Sequence, residues 1–268
     1  MTLSNFAGLN ILKAGNVPTD NMRALIMGKP GSGKTRLASS IATVGKTLYV
    51  DLPSEKGTRS FQGTPWEKNI DIVRPQSLTE FDGIYDSLRK GGHGYRAVVI
   101  DSLSALQLLS IRMMQGKSGR IPTLDAVPDT LRIQQYGNIK SFMEDTVVYF
   151  YGLADGDRKE PMHVIMVAQP KVHEDEIQEL TVIRPDCQPG AIPKILSTPD
   201  YILYTAVEEN EDTEKWEHVT HFGTNPAKSM KARVPADKVG VLPELLNAKQ
   251  SRLDLIGKKL GVGGFDAS

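Results

Sequence analysis

The stretch Gly28-Lys-Pro-Gly-Ser-Gly-Lys34-Thr35 fits G-x-x-x-x-G-K-[ST] at every fixed position. No other feature narrows what the chain can fold into as much. Glycines at these positions let backbone N–H groups turn inward on a polyphosphate. The lysine reaches the β- and γ-phosphates, and the threonine hydroxyl ligates Mg²⁺. Such a loop needs a buried strand before it and a helix after it. Residues 24–27 (ALIM) are a short continuous apolar run, as expected of a strand buried on both faces, and a helix is predicted from Lys34 to about Thr43. The expected nucleotide contacts are Gly28, Lys29, Pro30, Gly31, Ser32, Gly33, Lys34 and Thr35, with Arg36 just beyond.

Further apolar runs occur at 47–50 (TLYV), 70–73 (IDIV), 97–100 (AVVI) and 163–168 (HVIMVA). All four end at a polar side chain, Asp51, Arg74, Asp101 and Gln169. Ser77 with Glu80 three residues later is a capping-box pattern, opening a helix that runs to about Lys90. A second helix is predicted over 131–150. Residues 112–130 and 170–198 read as loops. Residues 201–206 and 216–222 flank the acidic tip 208–212 as a hairpin. The last thirty residues hold one or two weak helices and a flexible end at 261–264.

Alternating buried strands and helices predict an α/β fold with a mostly parallel sheet and a C-terminal β-hairpin. The C-terminal ends of parallel strands share one edge, where open α/β folds bind ligands. Gly28, Asp51, Asp101 and Gln169 would meet there. The expected organisation is a lead-in over 1–21, a core over 22–235 and a helical tail over 236–268.

Composition removes several classes. Thirty-two basic residues balance thirty-two acidic ones. That excludes a globally basic nucleic-acid binder but leaves room for a local patch. The single cysteine, Cys187, makes no internal disulfide and no cysteine-rich zinc site, and the five histidines are scattered. No apolar run reaches the roughly eighteen residues of a membrane span, and the N-terminal segment lacks the apolar region of a secretory signal. A cytoplasmic compartment is expected, that of the host if the protein is viral.

Asp101 closes the run YRAVVID, an apolar strand ending in the acid that a phosphate loop requires to hold Mg²⁺ or its waters; this resembles a Walker B motif. Together, GKPGSGKT, LYVDLPSEKGT, YRAVVIDSLSAL and HVIMVAQP, in that order, resemble the RecA-fold ATPases over about residues 22–235. More narrowly, the chain is similar to compact phage ATP-binding proteins that act in single-strand annealing or recombination.

The resemblance implies ATP and Mg²⁺ as ligands, with Lys34, Glu55, Asp101 and Gln169 catalytic and Thr35 and Asp101 at the metal. Glu55 would orient the attacking water, with Asp51 as the second candidate. AAA+ ATPases usually carry that glutamate directly after the Walker B aspartate, where this chain has Ser102. Gln169 would sense the γ-phosphate. Two loops would contact single-stranded DNA: one through Arg112, Lys117 and Arg120 in RMMQGKSGR, the other through Lys171 and Arg184 beside the acidic 174–176. Lys228, Lys231 and Arg233 are candidates to complete a neighbouring subunit's site in a homo-oligomeric ring or filament. A single-strand DNA-binding protein is a further candidate partner, and no membrane is expected. The rival readings are an AAA+-type motor or helicase loader, and a nucleotide-gated DNA-binding protein with little hydrolysis. A small-molecule kinase would need an arginine-rich lid, which 112–130 does not offer.

Overall fold

The computed structural model describes residues 4–6, 9–11, 20–53, 57–115, 133–175, 180–210 and 213–265. Its strands are β1 (Ser4–Phe6), β2 (Leu9–Ile11), β3 (Arg23–Gly28), β4 (Thr47–Asp51), β5 (Ile70–Val73), β6 (Ala97–Asp101), β7 (His163–Ala168), β8 (Pro170–Asp175), β9 (Leu180–Pro185), β10 (Tyr201–Asn210), β11 (Lys215–His221), β12 (Lys231–Ala232) and β13 (Leu245–Leu246). The α-helices are α1 (Lys34–Ser39, continued as a 3₁₀ turn over Ser40–Val44), α2 (Leu78–Lys90), α3 (Leu103–Met114), α4 (Ile133–Tyr151), α5 (Ile192–Ser197) and α6 (Leu253–Leu260).

The main sheet runs β13-β11-β10-β3-β7-β6-β4-β5, with β12 also paired to β10. Pairings from β10 through β5 are parallel, and β11, β12 and β13 are joined antiparallel. Successive strand residues face opposite ways, so one continuous apolar run feeds two cores. Leu25, Met27, Val98, Ile100, Val164 and Met166 pack with Phe81, Leu103, Met143 and Phe150 of α2, α3 and α4. Ala24, Ile26, Val99, Ile165 and Val167 face the other way and pack with Leu37 and Ile41 and with Leu253, Ile256 and Leu260 of α6. The result is a sheet covered on both faces, as a parallel sheet requires.

The cap read from sequence at α2 is present. Ser77 Oγ accepts from the Glu80 amide at 3.1 Å, while the Glu80 carboxylate accepts from the Gln76 amide at 2.7 Å.

Three expectations need correction. Residues 170–185 are not a loop: β8 and β9 pair from Pro170↔Pro185 to Asp175↔Leu180. Both prolines sit at the open end of the ribbon, where their missing N–H costs no interior ladder bond. Residues 192–197 form α5, with Pro193 in its first turn, where proline is well tolerated. The glycine-rich end is docked rather than flexible. Val262 and Phe265 are buried, the Phe265 ring meets the His163 ring at 4.4 Å, and the Gly263 amide donates to the Asp20 carbonyl. Gly264 has φ of 82°, and a Cβ there would stand 3.0 Å from His163 Nε2, so this glycine serves a turn and a close approach. No helix among the described residues is long and apolar enough to cross a membrane.

Candidate nucleotide site

Gly28 ends β3 beside Thr205 of β10, its register partner. A Cβ at Gly28 would overlap the Thr205 hydroxyl and carbonyl and stand 2.5 Å from Ser32 Oγ. Only glycine lets the chain leave the strand here. Ser32 and Thr205 then share a 2.7 Å hydroxyl hydrogen bond that ties the loop to the neighbouring strand. Gly31 and Gly33 take φ of 79° and 95°, conformations that favour glycine, and carry the loop into α1.

Lys34, mostly buried, donates to the Gly28 and Lys29 carbonyls at 2.6 and 2.9 Å. It also lies 3.4 Å from Gln169 Oε1. The sheet order explains that reach: β7, which leads into Gln169, lies between β3 and β6. The Gln169 amide is itself held by Ser104 Oγ at 3.1 Å. Gly28, Asp51, Asp101 and Gln169 lie at the C-terminal ends of the adjacent parallel strands β3, β4, β6 and β7, the shared edge expected for them, and Lys34 and Thr35 reach the same edge from α1.

The Thr35 hydroxyl donates to Asp101 Oδ2 at 2.9 Å, and the buried Tyr49 hydroxyl donates to the same oxygen. Burial, reinforced by the Asp101 charge, pushes the Tyr49 phenol well above its ordinary value and keeps it a donor. A Cβ on Gly57 would stand 2.9 Å from Thr35 Oγ1 and 3.5 Å from Asp101 Oδ2, so glycine keeps the space beside these two oxygens open. A hydroxyl and a carboxylate suit Mg²⁺, which takes one or two protein oxygens and completes its shell with water and phosphate. Among the described residues no three His, Cys, Asp or Glu gather into a protein-only metal cage. The residues present thus fit a phosphate-bound Mg²⁺ held by Thr35 and Asp101.

Asp51 is in register with Asp101 and is buried. Its Oδ2 accepts from Arg74 Nε at 2.7 Å, and its Oδ1 has no hydrogen-bond partner among the described residues. Glu55 lies outside the described residues. Its flanks are at the site: the Leu52 amide donates to the Asp101 carbonyl at 2.9 Å, and Gly57 abuts Thr35.

The phosphate groove, about 450 Å³, is lined by loop residues, Gly57, Ser60, Gln169 and His218. Thr205, Gly57, Tyr49 and His218 were not readable as site residues. Thr205, Tyr49 and His218 reach it through pairing across the sheet and hairpin, which leaves no local spacing signal, and Gly57 through the turn that follows β4.

Of the DNA-contact candidates, Lys117 and Arg120 lie outside the described residues. Arg112 is exposed, but in the last turn of α3 rather than in a loop. That turn is anchored: the Met113 sulfur accepts from the Leu78 amide and the Met114 carbonyl from Gln135. Lys171 and Arg184 face each other across β8 and β9, with Lys171 3.9 Å from Asp186.

Lys228, Lys231 and Arg233 are engaged within the chain. Lys228 contacts the His221 ring nitrogens at 2.9 and 3.2 Å. Lys231 and Arg233 donate to the Ser197 carbonyl at 2.7 and 2.9 Å, and Arg233 also pairs with Asp200 at 3.1 Å. Lys231 and Ala232 pair with the start of β10, at the sheet edge opposite the phosphate loop.

A phosphate loop on the second strand of the order β10-β3-β7-β6-β4, with the Asp101 strand beyond β7, defines a RecA-like P-loop NTPase core. The family model described as an AAA domain matches residues 20–234, and the chain belongs to that family. Among solved structures, a KaiC-like protein from the hyperthermophilic archaeon Pyrococcus horikoshii is similar, with a TM-score of 0.43 and 11% identity over 82% of this chain and 85% of that one. No curated protein matches the sequence.

Proposed function

We propose that this protein is a Mg²⁺-dependent ATPase that assembles as a homo-oligomer on single-stranded DNA and promotes annealing or recombination. The observation that carries this reading is the 3.4 Å approach of Lys34 Nζ to Gln169 Oε1. Gln169 is the residue directly before β8, whose Lys171 faces Arg184 of β9. The lysine that meets the terminal phosphates is thus linked through one side chain to a ribbon whose Lys171 and Arg184 supply two cations for a nucleic-acid backbone, beside the acidic 174–176.

In this mechanism Lys34 binds and orients the terminal phosphates, and Thr35 and Asp101 would hold Mg²⁺, which would supply charge neutralisation. Glu55 orients the attacking water and accepts its proton. Gln169 senses the terminal phosphate and passes its state to β8. Arg112, Lys117 and Arg120 give a second set of backbone contacts.

The test is ATP turnover with and without single-stranded DNA. Wild type should be stimulated by the oligonucleotide, and Lys34→Ala should be inactive in both conditions. Replacing Arg112, Lys117 and Arg120 with alanine should weaken DNA binding and flatten its salt dependence while ATP binding stays. Turnover in Lys34→Ala would sink the ATPase reading. Wild-type turnover indifferent to DNA, with no DNA binding at low salt, would move the assignment to a motor acting on a protein partner.

A further inference from the structure

At the β5 side of the sheet the strand ends continue the row of site residues. β5 is the last strand in the order, and Val73 is the register partner of Val50. Arg74 therefore stands one step past β5, beside Asp51, which is in turn the register partner of Asp101. Arg74, Asp51 and Asp101 follow one another along the same edge, and Thr35 closes the row at the phosphate loop. The Arg74 main chain is itself held. Pro75, which is buried, restricts the residue before it to extended backbone, and the Gln76 side-chain amide donates to the Arg74 carbonyl at 3.1 Å.

The guanidinium makes two contacts of different kinds. Nε donates to Asp51 Oδ2 at 2.7 Å, joining a cation whose side chain is 55% exposed to a carboxylate that is 2% exposed. A buried carboxylate needs such a partner. That bond alone asks only for a cation, and lysine would serve. The second contact uses the planar fork that lysine lacks: a terminal nitrogen donates to the Thr58 hydroxyl at 3.3 Å. Thr58 is buried in the 3₁₀ turn Gly57–Phe61. At the far end of that turn the buried Phe61 packs on Tyr49, with ring centres 5.2 Å apart. The chain leaves β4 at Asp51 and enters the turn at Thr58, and Arg74 holds both of these points.

We propose that Arg74 is a positioning residue for ATP turnover: its fork ties the Gly57–Phe61 turn to the end of β4 and so sets how closely Gly57 stands to Thr35 and Asp101. The tolerance there is small. A Cβ on Gly57 would lie 2.9 Å from Thr35 Oγ1 and 3.5 Å from Asp101 Oδ2. A shift of the turn by about 1 Å either crowds that pair or draws away from it, and misplacement on this scale can cost about a hundredfold in rate. Glu55 falls in sequence between the two held points, Asp51 and Thr58. Arg74 acts through Thr58 and touches no reacting atom. The proposal rests on the ATPase reading above.

The test is steady-state ATP turnover by the full chain with Mg²⁺, read beside melting curves. Arg74→Lys keeps a cation for Asp51 and loses the fork, and Thr58→Val removes the hydroxyl from the other side. Each should lower kcat about tenfold with KM within about twofold, and each should melt within a few degrees of wild type. The double variant should be no slower than the slower single one, because both break one link. Thr58→Ser keeps the hydroxyl and should retain at least about half of kcat. A merely structural role would lower the melting temperature and leave kcat of the folded fraction unchanged. Wild-type kcat in Thr58→Val, kcat that falls only in step with the folded fraction, or losses that multiply in the double variant would each overturn the proposal and leave the ATPase reading intact. The two Thr58 variants decide the matter if Arg74→Lys does not fold. A wild type that turns over no ATP would overturn the ATPase reading and this proposal with it.

Discussion

The Thr35 hydroxyl and Asp101 Oδ2 lie 2.9 Å apart, joining the first turn after the phosphate loop to the end of a strand two places away in the sheet. Each oxygen is placed by a different element, and Gly57 keeps the space beside them clear. The pair is a ready site for a hard cation that arrives with its own phosphate ligands.

Thr35→Ala should therefore lose most of the gain in ATP affinity that Mg²⁺ gives. Titrations with Mg²⁺ and with chelator should differ at least tenfold in wild type and scarcely at all in the variant, with Thr35→Ser in between. A full Mg²⁺ effect in Thr35→Ala would remove this hydroxyl from the metal.

Gly28→Ala should destabilise the fold even without nucleotide. Its Cβ would overlap the Thr205 hydroxyl and carbonyl, and overpacking of this kind costs about 1–3 kcal/mol. At about 2–4 °C per kcal/mol for a chain somewhat smaller than this one, a melting temperature lower by several degrees is expected. An unchanged melting curve would show that β10 can shift away freely.

Glu55→Gln should bind ATP within about twofold of wild type and turn it over about a hundredfold or more slowly, the scale of losing a positioned general base. Asp51→Asn should disturb the Arg74 ion pair and act mainly on stability. If Asp51→Asn abolishes turnover while Glu55→Gln remains active, the water-orienting carboxylate is Asp51.

His163 supplies a pH dependence. Burial, with the nearby Arg96 charge, brings its imidazole from an ordinary 6.5 down to about 3. The neutral ring accepts from the Met22 amide at 3.0 Å through Nδ1. The unfolded chain takes up this proton below about pH 6.5, whereas the folded chain resists it until about pH 3. The stability conferred by the neutral ring is thus full above the unfolded value and falls away as the pH drops through that window, by up to about 1.4 kcal/mol per pH unit. Urea unfolding at a series of pH values should show this slope in wild type and a shallower one in His163→Gln. Parallel slopes would mean that His163 is accessible to protons when folded.

What could be read from sequence was whatever the chain encodes within a few residues. The phosphate loop, the Ser77–Glu80 cap and the polar residue after each buried run are local patterns with local physics. The elements that escaped are defined by distant partners. Val172, Val182 and Ile183 become a ribbon only once β8 and β9 meet, and the prolines around them hid the pattern. The glycines at 261, 263 and 264 signalled flexibility until the ring of His163, about a hundred residues earlier, gave Phe265 a seat. His218 reaches the nucleotide region by tertiary placement alone, so no spacing rule could have found it.

The central position of β3 also governs when the site can exist. The Met22 link to His163 spans 141 residues and the Arg23 link to Asp200 spans 177, and these lead into β7 and β10, the strands that border β3. During synthesis the phosphate loop leaves the ribosome early but has neither neighbour. At about 5–20 residues per second, the wait for β10 is roughly 10–35 s. Until β7 emerges Ala24–Met27 is an apolar segment with two unpaired edges, and until β10 emerges it keeps one, a natural client for a chaperone. Nucleotide cannot shorten this exposure, because the strand that shapes its binding loop is among the last to arrive.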